Sequence, residues 1–189
     1  MKPEYRFAPA ISNGTSVAQD DMLRQLSLTA RLAIALICFE RYCDAHHLTA
    51  PELSVFLDYL WDFPLILVSR SFREWERQQP DLVTIGLGGN IPTSYSLWLD
   101  DAGISDHTFR QLVEHTIEII YGSFYAAAND QESLMRLHHV LTLTEQSQSI
   151  SGLFPYFSES RFIDTQGWGM PVSEAERDAW RAQARTNTA

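Results

Sequence analysis

Apolar and polar side chains recur along most of this chain at the three- and four-residue spacing of an amphipathic helix. The strongest run is LAIALICF, Leu32 to Phe39, which is apolar over most of a helix circumference. It lies within a helical pattern that extends from Ser16 to about His47. Because a helix that is apolar on nearly all sides is normally enclosed by neighbours, we expect a central, buried helix here.

Later apolar stripes predict further helices that end near residues 62, 78, 124, 150 and 184. Their starts carry capping signals, in which a short polar side chain and a Glu or Gln three residues later satisfy free backbone N–H groups. Including the first helix, these signals stand at Ser16–Gln19, Thr49–Glu52, Ser105, Asn129–Glu132 and Ser173–Glu176.

Three stretches lack the helical pattern. Residues 1–15 read as an irregular leader, residues 80–95 as a non-helical loop, and residues 151–171 as an aromatic-rich segment bounded by glycines. Leu82 to Leu87 could form a short strand, but no partner strand is evident. The sequence therefore predicts an all-α, single-domain bundle of about six helices over residues 16–189.

Composition narrows the classes of partner. The chain has 189 residues and a formal net charge of −10, a size that suits one domain and a charge that disfavours nucleic acid. The densest basic cluster, Arg70, Arg73 and Arg77, is nearly cancelled by Glu74 and Glu76. No apolar run reaches transmembrane length, so we expect neither a nucleic-acid nor a membrane partner.

The scarcity of lysine excludes several kinds of catalytic site, and the spacing of the two cysteines disfavours a disulfide between them. The only lysine is Lys2, so an ordered P-loop lysine or Schiff-base lysine is not available. Cys38 and Cys43 are five residues apart, about 140° around a helix axis, and should not form a disulfide with each other. With no signal-peptide pattern at the N-terminus, these features favour a cytoplasmic protein.

A metal site is not indicated by histidine spacing. None of the six histidines forms the i,i+3 or i,i+4 pair that helical zinc sites use. His115 with Glu114 or Glu118 could supply two ligands, although such pairs are common on solvated helix faces. We therefore expect no metal and no cofactor.

A catalytic nucleophile is not indicated either. The best available arrangement is Cys43 with His46 and His47 at helical spacing. The neighbouring carboxylates Glu40 and Asp44 would raise the thiol pKa and so oppose thiolate formation. We expect no catalytic residues, and an enzyme assembled from dispersed residues stays as an alternative.

The most informative charge pattern lies between Asp100 and Glu159, where nine acidic residues accompany only two arginines. Asp106, Glu114 and Glu118 line the polar side of one predicted helix, opposite its apolar stripe. A one-sided acidic surface attracts basic partners. We therefore predict a binding protein with Asp106, Glu114 and Glu118 as a ridge that steers a basic protein partner.

Candidate anchor residues lie in the aromatic segment. Tyr156, Phe157 and Trp168 stand there with Arg161, and aromatic residues and arginine are favoured at protein interfaces. We interpret these four residues as candidate partner contacts. The alternative is that the rings form a lid that packs onto the helices.

Two runs resemble a known class of protein. LAIALICFERYCD, Leu32 to Asp44, and FLDYLWDFP, Phe56 to Pro64, are similar in style to the first helices of the helical immunity proteins of bacterial toxin–immunity systems. The resemblance implies a protein that binds a cognate toxin and blocks it. The alternatives are a helical adaptor or regulatory scaffold without a toxin partner and, less favoured, a metal-dependent helical enzyme.

Overall fold

The computed structural model describes residues 16–66, 72–125, 127–147 and 149–186. These residues form α-helices and short 3-10 helices, and the one β-contact among them is an isolated antiparallel bridge between Leu26 and Arg161. The predicted all-α class is confirmed. The helices are α1 Val17–Gln25, α2 Leu28–Ala45, α3 Pro51–Trp61, α4 Phe63–Ile66, α5 Phe72–Glu76, α6 Asp81–Gly86, α7 Thr93–Asp101, α8 Asp106–Tyr121, α9 Asp130–Leu143, α10 Phe154–Phe157 and α11 Glu174–Ala182.

Helix α2 is the centre of the fold, as its sequence predicts. Every residue from Leu28 to Phe39 is buried, and α2 packs against α8, α9 and α11. A fully buried leucine or isoleucine contributes about 1.5–3 kcal/mol relative to an exposed one. The run Leu32–Phe39 therefore supplies much of the apolar burial that organises the other helices.

The single long helix predicted from Ser16 to His47 is wrong, because the chain breaks between α1 and α2. Ser27 adopts extended backbone angles, and its side chain accepts a hydrogen bond from the Ala30 backbone N–H. Its own backbone N–H donates to the carbonyl of Ser160, 2.8 Å away. Local capping and a distant backbone partner together replace the hydrogen bonds that a continuous helix would make.

The predicted loop at residues 80–95 is wrong in part, because α6 lies within it and α7 begins at Thr93. The possible strand from Leu82 to Leu87 is likewise wrong. Pro80 stands at the N-cap of α6, and Asp81 lies in its first turn, where a carboxylate favours a helix. Six residues are too few for helical periodicity to be distinct in the sequence.

Packing against α8 explains why this short helix forms. A Cβ atom on Gly86 would lie 2.8 Å from Cδ1 of Ile117, so the glycine permits the close approach of α6 to α8. The Arg110 guanidinium of α8 donates to the carbonyls of Ile85 and Gly89. These contacts hold the C-terminal end of α6 and depend on tertiary structure.

Most predicted caps are confirmed. Ser16 and Ser173 form full capping boxes, and the side chains of Ser105 and Asn129 accept N-terminal hydrogen bonds. The cap predicted at Thr49 is wrong, because Ala50 occupies the N-cap of α3 and makes no side-chain hydrogen bond.

The predicted count of about six helices is too low. Helix α9 ends at Leu143 instead of near Ile150, and α10 follows separately. The helix predicted over residues 62–78 is represented by α4 and α5, and residues 67–71 between them lie outside the described part. The irregular leader predicted at residues 1–15 also lies outside the described residues.

The aromatic segment closes over the start of α2 as short 3-10 and α-helical turns. The backbone N–H of Phe162 donates to the Gln25 carbonyl, and the N–H groups of Leu28 and Thr29 donate to the carbonyls of Gly167 and Trp168. These bonds place the segment beside the junction of α1 and α2.

One buried cation joins the junction to α9. Arg31 is fully buried, and its guanidinium donates to the carbonyls of Leu23 and Arg24, the carbonyl and carboxylate of Asp130, and the hydroxyl of Ser133. Each of its nitrogens therefore has an acceptor, which a buried charge requires.

Among the described helices, none combines the length and apolar character needed to cross a lipid bilayer.

Candidate protein-binding surface

An arginine from the neighbouring helix forms an ion pair within the acidic ridge that the sequence predicts on α8. Arg136 of α9 lies with its Nη1 atom 3.2 Å from the Glu114 carboxylate, while its Nε atom donates to Glu132 at 2.8 Å. Arg136 is shared by Glu114 and Glu132, so these three groups keep a net negative charge. Glu114 is therefore paired instead of open, and its part in steering a partner stays a prediction.

Glu118 also lies in a different environment from the one predicted. Its side chain is half-buried, and burial raises the pKa of this carboxyl while Arg136 opposes the shift. Glu118 is therefore less exposed than predicted, and its part in steering a partner stays a prediction.

A pair of histidines completes this cluster between α8 and α9. The rings of His115 and His139 are stacked with centroids 4.4 Å apart, and Nη1 of Arg136 lies 3.1 Å from Nδ1 of His115. Because a guanidinium can only donate, Nδ1 of His115 must accept, and this imidazole is neutral. Burial, with help from His139 and Arg136, lowers the pKa of His115 to about 4.

This cluster had a signal in the sequence. Glu132, Arg136 and His139 follow each other at i, i+4 and i+7 along one stripe of α9. Their pairing with Glu114 and His115 additionally requires that this stripe faces α8, which no local pattern specifies. In the described part of the chain, no group of three histidine, cysteine or acidic side chains is placed to hold a metal ion.

Cys43 lies in a groove of about 200 Å³ between α2, α3 and the C-terminal helix. Burial raises the pKa of its thiol, and Asp44 and Glu40 raise it further. The Glu40 carboxylate accepts hydrogen bonds from Trp61 Nε1 at 3.0 Å and Arg181 Nε at 2.9 Å. These contacts fit a structural polar network, and the thiol is not activated as a nucleophile.

Three exposed carboxylates lie near the junction of α7 and α8. Asp100, Asp101 and Asp106 are exposed, and none of them forms an ion pair with another described residue. Asp106 accepts a hydrogen bond from the Ser96 hydroxyl at 2.8 Å, which ties the first turn of α8 to α7. We call Asp100, Asp101 and Asp106 the acidic face.

The helix dipole favours one of these three carboxylates and disfavours the other two. Asp106 is in the first turn of α8, where a carboxylate favours the helix. Asp100 and Asp101 end α7, whose last turn carries no basic residue. A carboxylate at a helix C-terminus opposes the helix dipole by about 0.3–1 kcal/mol.

The candidate anchors separate into buried and exposed residues. Phe157 is fully buried and packs edge-on against Trp180 with ring centroids 4.9 Å apart, so it is corrected from anchor to core residue. Trp168 is half-buried and stacks on Phe124. Both rings fit the alternative in which the segment is a lid.

Tyr156 and Arg161 remain accessible. Tyr156 is 48% exposed, and Arg161 is exposed with one guanidinium nitrogen 3.1 Å from the side-chain oxygen of Gln25. They stay candidates for a partner contact.

A second groove, of about 350 Å³, lies where α3, α6 and α7 meet. It is lined by Pro51, Glu52, Val55, Pro80, Asp81, Leu82 and Tyr95. We call it the α3–α7 groove.

Comparison with protein-family models, with curated proteins and with solved structures found no match.

Proposed function

We propose that this chain is a binding protein that docks a basic protein partner through the acidic face. In its specific form the proposal is an immunity protein, which neutralises a bacterial toxin by forming a complex with it. The support is the placement of Asp100, Asp101 and Asp106 on the surface without a neutralising cation among the described residues.

The observation that carries the proposal is the position of Asp100 and Asp101 at the end of α7. Most other acids of the described structure have a local explanation, as helix caps, first-turn residues or ion-pair partners. Asp100 and Asp101 act against the helix that bears them, as Asp44 does alone at the end of α2, and the two are adjacent. Residues that weaken local structure without a compensating contact in the protein are typical of functional surfaces.

Whole-molecule charge supports the same conclusion. With a net charge of −10, the protein attracts cations from a distance, and the acidic face adds three exposed carboxylates near one helix junction. Charge complementarity of this kind raises association rates by about 10- to 1,000-fold at low salt. Rapid encounter suits an inhibitor that must occupy a toxin before the toxin reaches its target.

The experiment that tests the proposal is protection of cells. The immunity proposal predicts that the toxin is encoded next to this chain, so the product of the adjacent reading frame is induced in a bacterial host with and without this chain, and survival is counted. We expect survival to be restored by the wild-type chain. Death of the cells despite normal levels of folded chain would contradict the immunity function.

A charge-matched pair of variants links protection to the acidic face. D100N/D101N removes two of its carboxylates, while D21N/E145Q removes two exposed carboxylates on other elements. We expect protection to weaken only in D100N/D101N. Binding of the adjacent gene product without protection would instead assign the chain as a helical adaptor.

A further inference from the structure

The α3–α7 groove combines apolar walls with exposed carboxylates. Its floor includes Leu82 and the ring of Tyr95, both of which are buried, and Val55 stands at its side with 56% of its surface exposed. An exposed valine beside an aromatic ring offers apolar surface that this molecule leaves uncovered. Such walls suit the methylene stem of a long side chain.

Two carboxylates stand at the groove, one from α3 and one from α6. Glu52 and Asp81 are both exposed, and neither side chain has a hydrogen bond or an ion pair with any residue that the structure describes. Both raise the pKa of the Tyr95 hydroxyl, although burial raises it more. Their negative charge therefore reaches the floor of the groove.

Helix stability explains the presence of each carboxylate by itself but not why both line the same groove. Each lies in the first turn of its helix, where it favours the helix dipole. Both carboxylates line the same groove, where each attracts a cation. Two acids on different helices that line one apolar-walled groove therefore match a long cationic side chain.

We propose that the α3–α7 groove receives an arginine side chain of the protein partner. The stem packs along Val55 and Tyr95, and the guanidinium donates to the carboxylates of Glu52 and Asp81. Arginine fits better than lysine because its planar group presents several fixed donors and can bond two carboxylates at once. This inference rests on the proposed function, since it names one contact of the same basic partner.

Helix α7 contributes residues to both the groove and the acidic face. Tyr95 is in the first turn of this helix, and Asp101 is its last residue. At 1.5 Å per residue they are about 9 Å apart along the helix axis. They also lie about 120° apart around the axis, so a partner that covers both sites must extend around α7.

The test uses three capped amino acids as probes in an NMR titration of the full chain. They are the N-acetyl methylamides of arginine, lysine and citrulline, the last having nearly the shape of arginine without its charge. We expect arginine to shift the backbone amides of Val55, Leu82 and Tyr95 with millimolar affinity. Lysine should bind more weakly, and citrulline should cause no shifts at these amides.

Matched variants separate the groove from general attraction to an acidic protein. E52Q/D81N should weaken arginine binding by about fivefold, as expected for two exposed charge pairs. D100N/D101N, with the same change in net charge, should leave it within about twofold. Far-ultraviolet circular dichroism verifies that both variants remain folded.

Three results would overturn the inference: no shifts at the groove, equal shifts with citrulline, or equal weakening by both double variants. These outcomes are distinct from failure of the proposed function. Arginine binding in the groove without any cell protection would contradict only the immunity proposal. Protection by a chain whose groove does not bind arginine would contradict only the proposed arginine site.

Discussion

Arg31 shows how a single side chain can join three parts of this fold. It is fully buried, yet every guanidinium nitrogen donates to an acceptor, and its Cζ lies 5.4 Å from the centre of the Phe162 ring. Its acceptors lie at the end of α1 and at the start of α9. The sequence presents Arg31 only as a polar residue in an apolar run, so this role could not be predicted.

We predict that Arg31→Lys lowers the free energy of unfolding by about 3 kcal/mol. A lysine ammonium cannot reach acceptors on both α1 and α9, so buried carbonyls lose their partners. Urea denaturation followed by circular dichroism measures the change. Arg24→Lys is the control, because Arg24 is exposed and pairs with Asp20 one turn away. Equal stability of R31K and the wild type would contradict the structural role.

The lowered pKa of His115 predicts how the free energy of unfolding depends on pH. Its folded-state pKa of about 4 lies below the ordinary value of 6.5, so the unfolded chain binds more protons between those values. The stability due to the neutral imidazole is present above pH 6.5 and is lost as pH falls towards 4. The groups that face it are His139, Arg136, Glu114 and Glu132.

We predict a loss of about 2 kcal/mol from this group as pH falls from 7 to 4. His115→Asn keeps a side-chain acceptor for Arg136 but cannot titrate, so its stability should fall less steeply over the same range. Urea denaturation at several pH values gives both slopes, with His107→Asn as a control on the exposed side of α8. Identical slopes for H115N and the wild type would contradict this assignment.

At the scale of elements, the sequence predicted those features whose stability depends on residues close to each other along the chain. The caps at Ser16, Ser105, Asn129 and Ser173 and the buried character of α2 follow from residues close in sequence. The break at Ser27 and the short helix α6 were missed. Both depend on partners more than 20 residues away, the carbonyl of Ser160 and the surface of α8.

The two carboxylates at the end of α7 should destabilise this helix, and their removal tests that effect. We predict that D100N/D101N raises the free energy of unfolding by about 0.5–1 kcal/mol, because it removes two charges that oppose the end of the helix. Urea denaturation at low salt measures the increase, and added salt should reduce it. A decrease would mean that these carboxylates make stabilising contacts and would remove the reason to call them functional.

At the scale of the whole molecule, the sequence predicts a net negative charge but not which carboxylates are paired. The acidic excess between Asp100 and Glu159 is evident from composition. Arg136 of α9 pairs with Glu114 on α8, whereas Asp100, Asp101 and Asp106 are exposed and form no ion pair with a described residue. This difference depends on the packing of α8 on α9, which single-helix patterns do not contain.

The central claim is that the acidic face steers a basic protein partner, and its most direct test is the association rate with the adjacent gene product. Stopped-flow fluorescence measures this rate across a range of salt concentrations for the wild type, D100N/D101N and D21N/E145Q. We predict that D100N/D101N lowers the rate by about tenfold at low salt and that the difference disappears at high salt. Equal rates for the two double variants at low salt would contradict the claim.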